Sequence, residues 1–276
     1  MNILITGTTG FIGSNLVNTF KNDNTVYNLG RNENATCKNI YWNLKSSIEK
    51  ICLPSNIDTI IHCASIVGEG RCSKREYIEV NVISTLELLE YSKNNGVKQF
   101  VYISTGGVYG FGKVPFREED QCNPCGVYNI SKHFSEKLCI EYSDKLTLTI
   151  LRPFFPYGKG QNGRLVSNLI NQIRNGEEVT LNNDGMPLIN PIHIGDLCNI
   201  TKGVVDKRLE GILNVCGNEI VSIKDLCMII CGKVNIENVH FNFNGKSIEN
   251  MLGDNKKIQN ALNYHINTTI FEGIEK

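Results

Sequence analysis

Two residues of this sequence are suited to moving a proton: the phenol of Tyr128 and the ammonium of Lys132. A separation of four residues places both side chains on one face of a helix. A phenol titrates near pH ~10, and a nearby ammonium favours the phenolate and lowers that pKa. Thr105, which precedes Gly106, supplies a hydroxyl that can hold a substrate carbonyl or alcohol beside the tyrosine. These residues therefore predict acid–base chemistry by Thr105, Tyr128 and Lys132.

A glycine-rich segment near the N-terminus has the spacing of a phosphate-binding loop. Residues 7–13 read Gly-Thr-Thr-Gly-Phe-Ile-Gly and lie between a short apolar run and a helical pattern. In such loops the glycines permit a tight turn, a close approach to a pyrophosphate and close helix–strand packing, and free N–H groups at the helix start face the anion. The segment predicts a dinucleotide site that is formed by Gly7, Thr9, Gly10, Phe11, Ile12 and Gly13.

The end of the second predicted strand bears on the choice of cofactor. NAD enzymes place an Asp or Glu there to bind the ribose 2′-hydroxyl. This chain has Arg31 instead, and Glu33 comes two residues later. A guanidinium can pair with a 2′-phosphate through its fork of donors. The sequence therefore favours NADP(H) over NAD(H), with a solvated surface arginine as the alternative.

The elements that must position these residues alternate between strands and helices. Apolar or β-rich runs predict strands over residues 2–6, 25–29, 58–63, 99–104 and 146–151. Apolar side chains at helical spacing predict helices over residues 12–20, 81–92 and 128–142. This rhythm is typical of an α/β fold with a doubly wound parallel sheet, a Rossmann fold. Ligands bind such sheets beyond the carboxyl ends of the strands.

The second half of the chain is less regular. It contains two helical patterns, over residues 164–175 and 223–232, with short strands and turns between them. We therefore expect two domains. The dinucleotide-binding Rossmann domain comprises residues 1–158 with 189–217, and a smaller C-terminal substrate-binding domain comprises residues 159–188 with 218–276.

Composition argues against several other classes of protein. The 276 residues carry 28 Lys plus Arg against 28 Asp plus Glu, so no basic excess favours nucleic acid as a partner. No apolar stretch approaches the ~18 residues of a membrane span, and the first residues lack the basic start of a signal peptide. These features predict a cytoplasmic protein with no membrane partner. The 11 cysteines, including the pair Cys122 and Cys125, are expected to be free thiols without a metal site.

The chain resembles an extended short-chain dehydrogenase/reductase of the NAD-dependent epimerase/dehydratase family. The matching segments are residues 6–13, 58–64, Asn81 with Thr85, 104–110, Tyr128 with Lys132, 152–158, 192–197 and 213–215. The resemblance implies that Tyr128 is the catalytic acid/base, that Lys132 modulates it and that Thr105 is the third member. It also implies a homodimer that is built from the helices at 81–95 and 128–142. Further predicted cofactor contacts are Asn43, Leu44, Cys63, Ala64, Ser65, Asn81, Ile103 and Pro153, together with Tyr128 and Lys132.

Departures from the family pattern narrow the reaction. Family dehydratases carry acidic side chains just after the catalytic Thr, because elimination of water needs an extra acid and base. Members that epimerise at C3 and C5 place a Cys there. Gly106 and Gly107 offer neither group. Two readings remain, a 4-ketoreductase that consumes NADPH and a 4-epimerase that holds NAD, and Arg31 favours the reductase.

The expected substrate is a nucleotide sugar, held by Thr105, Gly106, Phe155 and Arg164. Phe155 stands where epimerases of the family often have an Asn that binds the sugar phosphate, so that contact is missing here. Arg164 or Lys159 can hold a diphosphate by charge and donor count, with a solvated charge in the loop as the alternative. A third reading is a non-catalytic regulator that senses NADP(H). Such proteins usually lose the tyrosine or the lysine, and this chain retains both.

Overall fold

The structure is a computed structural model that describes residues 1–112 and 114–275. The first half contains β1 (Asn2–Thr6), α1 (Phe11–Phe20), β2 (Thr25–Gly30), β3 (Lys38–Tyr41), β4 (Thr59–His62), α2 (Lys74–Tyr77), α3 (Ser84–Asn94), β5 (Gln99–Ile103), α4 (Gly126–Ile140) and β6 (Thr147–Pro153). The second half contains α5 (Leu165–Arg174), β7 (Val179–Leu181), β8 (Leu188–Ile189), α6 (Ile194–Lys207), β9 (Gly211–Val215), β10 (Val221–Ser222), α7 (Ile223–Val234), β11 (Phe241–Phe243), α8 (Lys256–Leu262) and α9 (Ile270–Gly273).

The central sheet has seven strands in the order β3-β2-β1-β4-β5-β6-β9. The neighbouring pairs from β3 through β6 are parallel, and the register aligns Thr6 with His62 and His62 with Tyr102. Because parallel strands point the same way, the carboxyl ends of β1, β4 and β5 meet at one edge of the sheet. The loops that carry most of the predicted site residues begin at that edge. The predicted α/β Rossmann fold is confirmed.

The first of two compact units comprises Met1–Val108, Cys122–Arg152 and Cys198–Leu213. Its core is formed by the sheet strands and the helices that pack on them. Ile3, Leu4 and Ile5 are all fully buried, as expected of a strand that is covered on both faces.

The second unit comprises Tyr109–Gln121, Pro153–Leu197 and the chain from Asn214 onward. It contains the two-stranded sheets β8–β10 and β7–β11, and its core includes buried residues of α5 and α7. The contacts group residues 109–121, 153–158, 189–197 and 214–217 with this unit, whereas the sequence predicts all four segments in the Rossmann domain. The Tyr109 hydroxyl donates to Asn214 at 2.8 Å, and the Ile192 N–H donates to the Phe154 carbonyl at 3.1 Å.

Strand β3 and the start of the helix that leads into α3 differ most from the sequence predictions. Strand β3 has three exposed residues out of four, so it lacks the apolar run that marks the other strands. The helix predicted over residues 81–92 begins earlier, because α2 continues through a π-helical turn, Ile78–Ile83, into α3. Such turns are often found at functional sites. Within the described residues, no helix is both long enough and apolar enough to cross a membrane.

Candidate active site

The glycine loop between β1 and α1 has the compact geometry that the sequence predicts. Gly7 has a φ of +72°, in the left-handed region that favours glycine. A Cβ on Gly13 would lie 2.2 Å from the Gly7 carbonyl oxygen, so only a glycine lets α1 approach the turn this closely. Helix α1 has no side-chain cap and no acidic residue in its first turn, which leaves its N–H groups available to an anion. This loop fits the pyrophosphate of a dinucleotide.

A buried threonine holds the loop that follows β4. The Thr6 hydroxyl accepts hydrogen bonds from the N–H groups of Cys63 and Ala64, at 3.1 and 3.0 Å. A Cβ on Gly7 would lie 2.9 Å from the Ala64 nitrogen, so the glycine loop and the 63–64 segment are in direct contact. Burial raises the pKa of the Cys63 thiol to about 12, so this side chain stays protonated at neutral pH.

His62 is a positioning residue that the sequence analysis missed. The Thr6 hydroxyl already accepts from two N–H groups, so its own proton points to His62 Nδ1 at 2.7 Å. The Thr85 hydroxyl donates to the Asn81 carbonyl, so its oxygen accepts from His62 Nε2 at 3.1 Å. Burial, helped by the Lys132 charge, lowers the pKa of His62 to about 3. The imidazole is therefore neutral, with its proton on Nε2, and it links β4 to the helix that contains Asn81.

Helix α4 presents Tyr128 and Lys132 as the sequence predicts. Lys132 is 2% exposed, and its ammonium donates to the Ile103 carbonyl at 2.6 Å and lies 4.1 Å from the centre of the Tyr102 ring. Burial lowers the pKa of Lys132 to about 8, so the group remains mostly charged at pH 7. Tyr128 is half-buried. The helix thus holds a buried cation one turn from a partly accessible phenol.

Thr105 follows β5 and is oriented by its own backbone. Its hydroxyl oxygen accepts the Gly107 N–H at 3.1 Å, so its proton remains available for a substrate oxygen. A Cβ on Gly107 would lie 2.3 Å from Asn129 Oδ1. The Asn129 amide, one residue after Tyr128, therefore fills the space in which a side chain at position 107 would lie. This contact brings the loop after β5 against the turn of α4 that carries Tyr128.

Asn81, a predicted cofactor contact, forms several hydrogen bonds within the protein. The side chain is 1% exposed. It accepts the Ile66 N–H at 2.7 Å and donates to the Ile66 carbonyl at 3.0 Å and to the Ser131 hydroxyl at 2.9 Å. Both of its donors and one lone pair of its oxygen are thereby used. Asn81 links the loop after β4 to α4 and so positions groups that line the predicted cofactor site.

The residues predicted to contact the adenosine lie after β2 and β3. Arg31 is exposed at the end of β2. Asn43 Oδ1 accepts the N–H groups of Lys45 and Ser46 at 2.9 and 2.8 Å, so its oxygen forms a local turn and its amide NH₂ is the part left for a base. Leu44 is buried with a φ of +65°.

A buried carboxylate, Glu136, ties α4 to β5 and β6, and the sequence analysis did not identify it. Arg152 binds it with two donors, at 3.0 and 2.7 Å, and the Ser104 hydroxyl donates to the same carboxylate at 2.5 Å. Glu136 and Arg152 are 1% and 2% exposed. Ser104 directly precedes Thr105, and Glu136 lies one turn after Lys132. The ion pair therefore fixes the two predicted catalytic segments relative to each other.

We expect Glu136→Gln to lower the free energy of unfolding by about 3 kcal/mol, because it leaves the Arg152 guanidinium buried without its countercharge. Urea denaturation measures this change. Glu79→Gln is the control, since the Glu79 ion pair with Arg75 lies at the surface and surface pairs contribute little. If Glu136→Gln and Glu79→Gln lower the free energy of unfolding equally, this would contradict the stabilising role of the buried Glu136–Arg152 ion pair.

Three further predicted contacts belong to the second unit. Pro153 ends β6. Phe155 has a φ of +41°, a region that Asn tolerates and a bulky residue rarely adopts, and its ring packs on the core of this unit. Arg164 immediately precedes α5, where its N–H donates to the Ser167 hydroxyl at 3.0 Å.

In the part of the chain that is described, one group of possible metal ligands occurs: Cys122, His133 and Glu136. Both oxygens of Glu136 are bound by Arg152, whose positive charge would face any cation there. Burial also raises the pKa of the Cys122 thiol, which disfavours the thiolate that a metal requires. That Cys122 and Cys125 are thiols without a metal site stays a prediction.

Comparison with known proteins agrees with this geometry. A sequence model of the NAD dependent epimerase/dehydratase family matches residues 3–216. GDP-6-deoxy-D-talose 4-dehydrogenase of Aggregatibacter actinomycetemcomitans is 26% identical over 275 residues, 95% of this chain and 91% of that protein. UDP-glucose 4-epimerase of Vibrio cholerae is 30% identical over 179 residues, 60% of this chain and 55% of that protein, so the match spans about half of its length.

Solved structures extend the similarity to almost the whole chain. UDP-glucuronic acid 4-epimerase from Bacillus cereus in complex with NAD superposes with a TM-score of 0.89 at 25% identity, covering 99% of this chain and 94% of that one. MoeE5 in complex with UDP-glucuronic acid and NAD has a TM-score of 0.86 at 25% identity, covering 99% and 96%. The family match, the fold and the geometry at the carboxyl ends of the sheet strands agree. This chain belongs to the NAD dependent epimerase/dehydratase family.

Proposed function

We propose that this protein is an oxidoreductase that reduces the C4 keto group of a nucleotide-activated sugar with a nicotinamide cofactor. The cofactor supplies the hydride when it is bound. Tyr128 donates a proton to the carbonyl oxygen, Thr105 donates a hydrogen bond to the same oxygen, and Lys132 stabilises the phenolate that remains. The observation that carries the proposal is the buried Lys132 ammonium on the Ile103 carbonyl, one turn from the accessible Tyr128.

We propose NADPH as the reductant. Arg31 is exposed where β2 ends, and within residues 1–112 and 114–275 it makes no ion pair or hydrogen bond. The loop that carries it is ordered against the phosphate loop, because Asn28 accepts from the Thr8 hydroxyl at 2.6 Å and donates to the Asn32 carbonyl at 2.8 Å. An ordered loop with an unpaired guanidinium suits a 2′-phosphate.

A 4-epimerase that retains NAD is the second candidate. Both solved structures described above contain NAD, and one of them is a UDP-glucuronic acid 4-epimerase. The same tyrosine, lysine and threonine serve either reaction, so these residues do not separate the candidates. A non-catalytic regulator is the third candidate. It has no turnover to lose, so a loss of turnover in Tyr128→Phe would exclude it.

Cofactor binding separates the reductase from the epimerase. We expect the purified protein to carry no nicotinamide and to bind NADPH at least about tenfold more tightly than NADH, because a guanidinium–phosphate contact adds a charge-assisted bidentate pair. Arg31→Ala should remove this preference, whereas Arg75→Ala, at another exposed arginine, should preserve it. Calorimetric titration measures both dissociation constants. Release of NAD on denaturation, with no effect of Arg31→Ala, would favour the epimerase.

The substrate class is tested with a panel of UDP-, GDP- and dTDP-hexoses. Their oxidation is measured as the reduced nicotinamide that forms. The proposal predicts slow oxidation of at least one of them in the reverse direction. No oxidation of any of them, by a folded protein that binds the cofactor, would contradict it.

We also propose a homodimer that is formed by α3 and α4. Ile130 and Phe134 lie one turn apart on α4 and are 37% and 58% exposed, and Ile83, just before α3, is 42% exposed. Helices α3 and α4 pack against each other, so these apolar side chains lie on neighbouring helices. Contiguous exposed apolar groups of this kind mark association surfaces.

The cytoplasmic location remains a prediction.

Phe134→Glu should convert the dimer into a monomer, because it places a charge in an apolar contact. Phe271→Glu is the control, since Phe271 is an aromatic residue of similar exposure, 52%, in α9. Sedimentation equilibrium measures both masses. A wild-type protein that is monomeric at micromolar concentration, or a Phe134→Glu variant that still dimerises, would contradict the proposal.

A further inference from the structure

A carboxylate contacts the turn of α4 that carries Tyr128. Glu69 lies in the loop after β4, and its Oε1 accepts the Tyr128 N–H at 2.9 Å. Gly126, the first residue of α4, leaves room for it, since a Cβ there would lie 2.4 Å from Glu69 Oε1. The loop is fixed next to this point by Tyr77, which is buried and whose hydroxyl donates to the Gly68 carbonyl.

The charge that faces outward at this turn is negative. Glu69 is exposed. The Lys132 ammonium, on the same helix as Tyr128, is turned inward to the Ile103 carbonyl and the Tyr102 ring. Arg71, two residues beyond Glu69, is exposed and forms no ion pair with Glu69 among the described contacts. Among the described contacts no ion pair neutralises the Glu69 carboxylate, so its negative charge acts at the turn that carries Tyr128.

The loop after β5 carries no basic side chain next to Thr105 that could hold an acid group. After Thr105, positions 106 and 107 are glycines, and the space beside Gly107 is taken by the Asn129 amide. The Thr105 oxygen is already an acceptor for the Gly107 N–H. Thr105 thus provides one donor, which the reacting oxygen at C4 requires.

We propose that Glu69 is a specificity-determining residue that admits a nucleotide sugar with an uncharged hexose and discriminates against a uronic acid. This inference rests on the proposed C4 chemistry. With the C4 oxygen at Tyr128, a carboxylate at C6 lies only three bonds from that oxygen and shares the site with the Glu69 charge. Repulsion between these two like charges in a partly exposed site should weaken binding about tenfold. In the same contact, Glu69 caps α4 and holds the turn that carries Tyr128.

Glu69→Gln removes the negative charge but keeps the cap of α4, because a glutamine oxygen still accepts the Tyr128 N–H. The experiment compares kcat/KM for UDP-glucose and UDP-glucuronic acid. If the protein oxidises GDP-hexoses rather than UDP-hexoses, GDP-mannose and GDP-mannuronic acid are compared. We expect wild type to prefer the neutral sugar. Glu69→Gln should narrow the preference about tenfold through a lower KM for the acid. The wild-type preference should weaken at high salt, since screening acts on charge alone.

Two variants serve as references. Glu87→Gln changes another glutamate that accepts a backbone N–H, that of Ile48 at 2.7 Å, and should leave the preference unchanged. Glu69→Ala removes the cap as well and should lower kcat for both sugars. If both sugars are turned over and neither Glu69→Gln nor high salt changes the ratio of their kcat/KM values, this inference alone is overturned. No cofactor reduction with any nucleotide sugar would overturn the proposed function.

Discussion

Tyr128→Phe should lower turnover by a factor of about 10²–10⁴ and leave the dissociation constant of the cofactor within about twofold of wild type, since a positioned general acid contributes that much to rate. The substitution removes one oxygen and keeps the ring. The neighbouring contacts, the Glu69 bond to the Tyr128 N–H and the Ser131 bond to its carbonyl, involve the backbone and are retained. Steady-state kinetics and calorimetric titration measure the two quantities.

Tyr91→Phe is the matched control for this change. The Tyr91 hydroxyl donates to the Pro54 carbonyl at 3.1 Å, so its loss removes a structural hydrogen bond of the same unit and should leave turnover unchanged. A Tyr128→Phe variant with wild-type turnover would remove the enzymatic assignment and support a cofactor-sensing regulator.

Gly13→Ala should weaken cofactor binding about 10- to 100-fold. The added methyl would lie 2.2 Å from the Gly7 carbonyl oxygen and 3.0 Å from the Thr8 nitrogen, so either α1 or the loop must move. Overpacking of this kind costs about 1–3 kcal/mol, and here the cost falls on the N–H groups that face the pyrophosphate. Titration with NADPH and with NADH measures the loss.

Gly232→Ala controls for the effect of an alanine in a helix. Gly232 lies in α7, is exposed, and a Cβ there would meet nothing within 4 Å. This substitution should stabilise the protein by up to about 1 kcal/mol through helix propensity and leave cofactor binding unchanged. Equal cofactor affinity in Gly13→Ala and wild type would show that the loop does not bind the pyrophosphate.

The local order of the Rossmann half could be predicted from the sequence because each buried strand leaves an apolar run. Ile3, Leu4 and Ile5 of β1 and Ile60 and Ile61 of β4 are fully buried, and such runs are visible without any knowledge of neighbours. Strand β3 lacks this signal, because its side chains face solvent at the sheet edge. The helix start at Gly126, two residues before the predicted one, depends on a cap from Glu69, which is distant in the sequence.

The supporting groups of the site could not be predicted, because their roles depend on partners far along the chain. His62 acts through Thr6 and Thr85, and Glu136 acts through Arg152 and Ser104. Nothing in the local sequence distinguishes Glu136 from a surface glutamate of a helix. Asn81 is similar: the family resemblance predicts a cofactor contact, which stays a prediction, and the hydrogen bonds of its amide to Ile66 and Ser131 could not be predicted.

The most direct test of the central claim is a crystal structure of the protein with oxidised cofactor bound. If Tyr128 is the proton donor, the reactive carbon of the nicotinamide should lie about 4–5 Å from the Tyr128 oxygen, which leaves room for one sugar carbon and its oxygen at reacting distance. A nicotinamide ring placed elsewhere, with the Tyr128 oxygen directed into bulk solvent, would contradict this role of Tyr128 and leave only a nucleotide-binding fold.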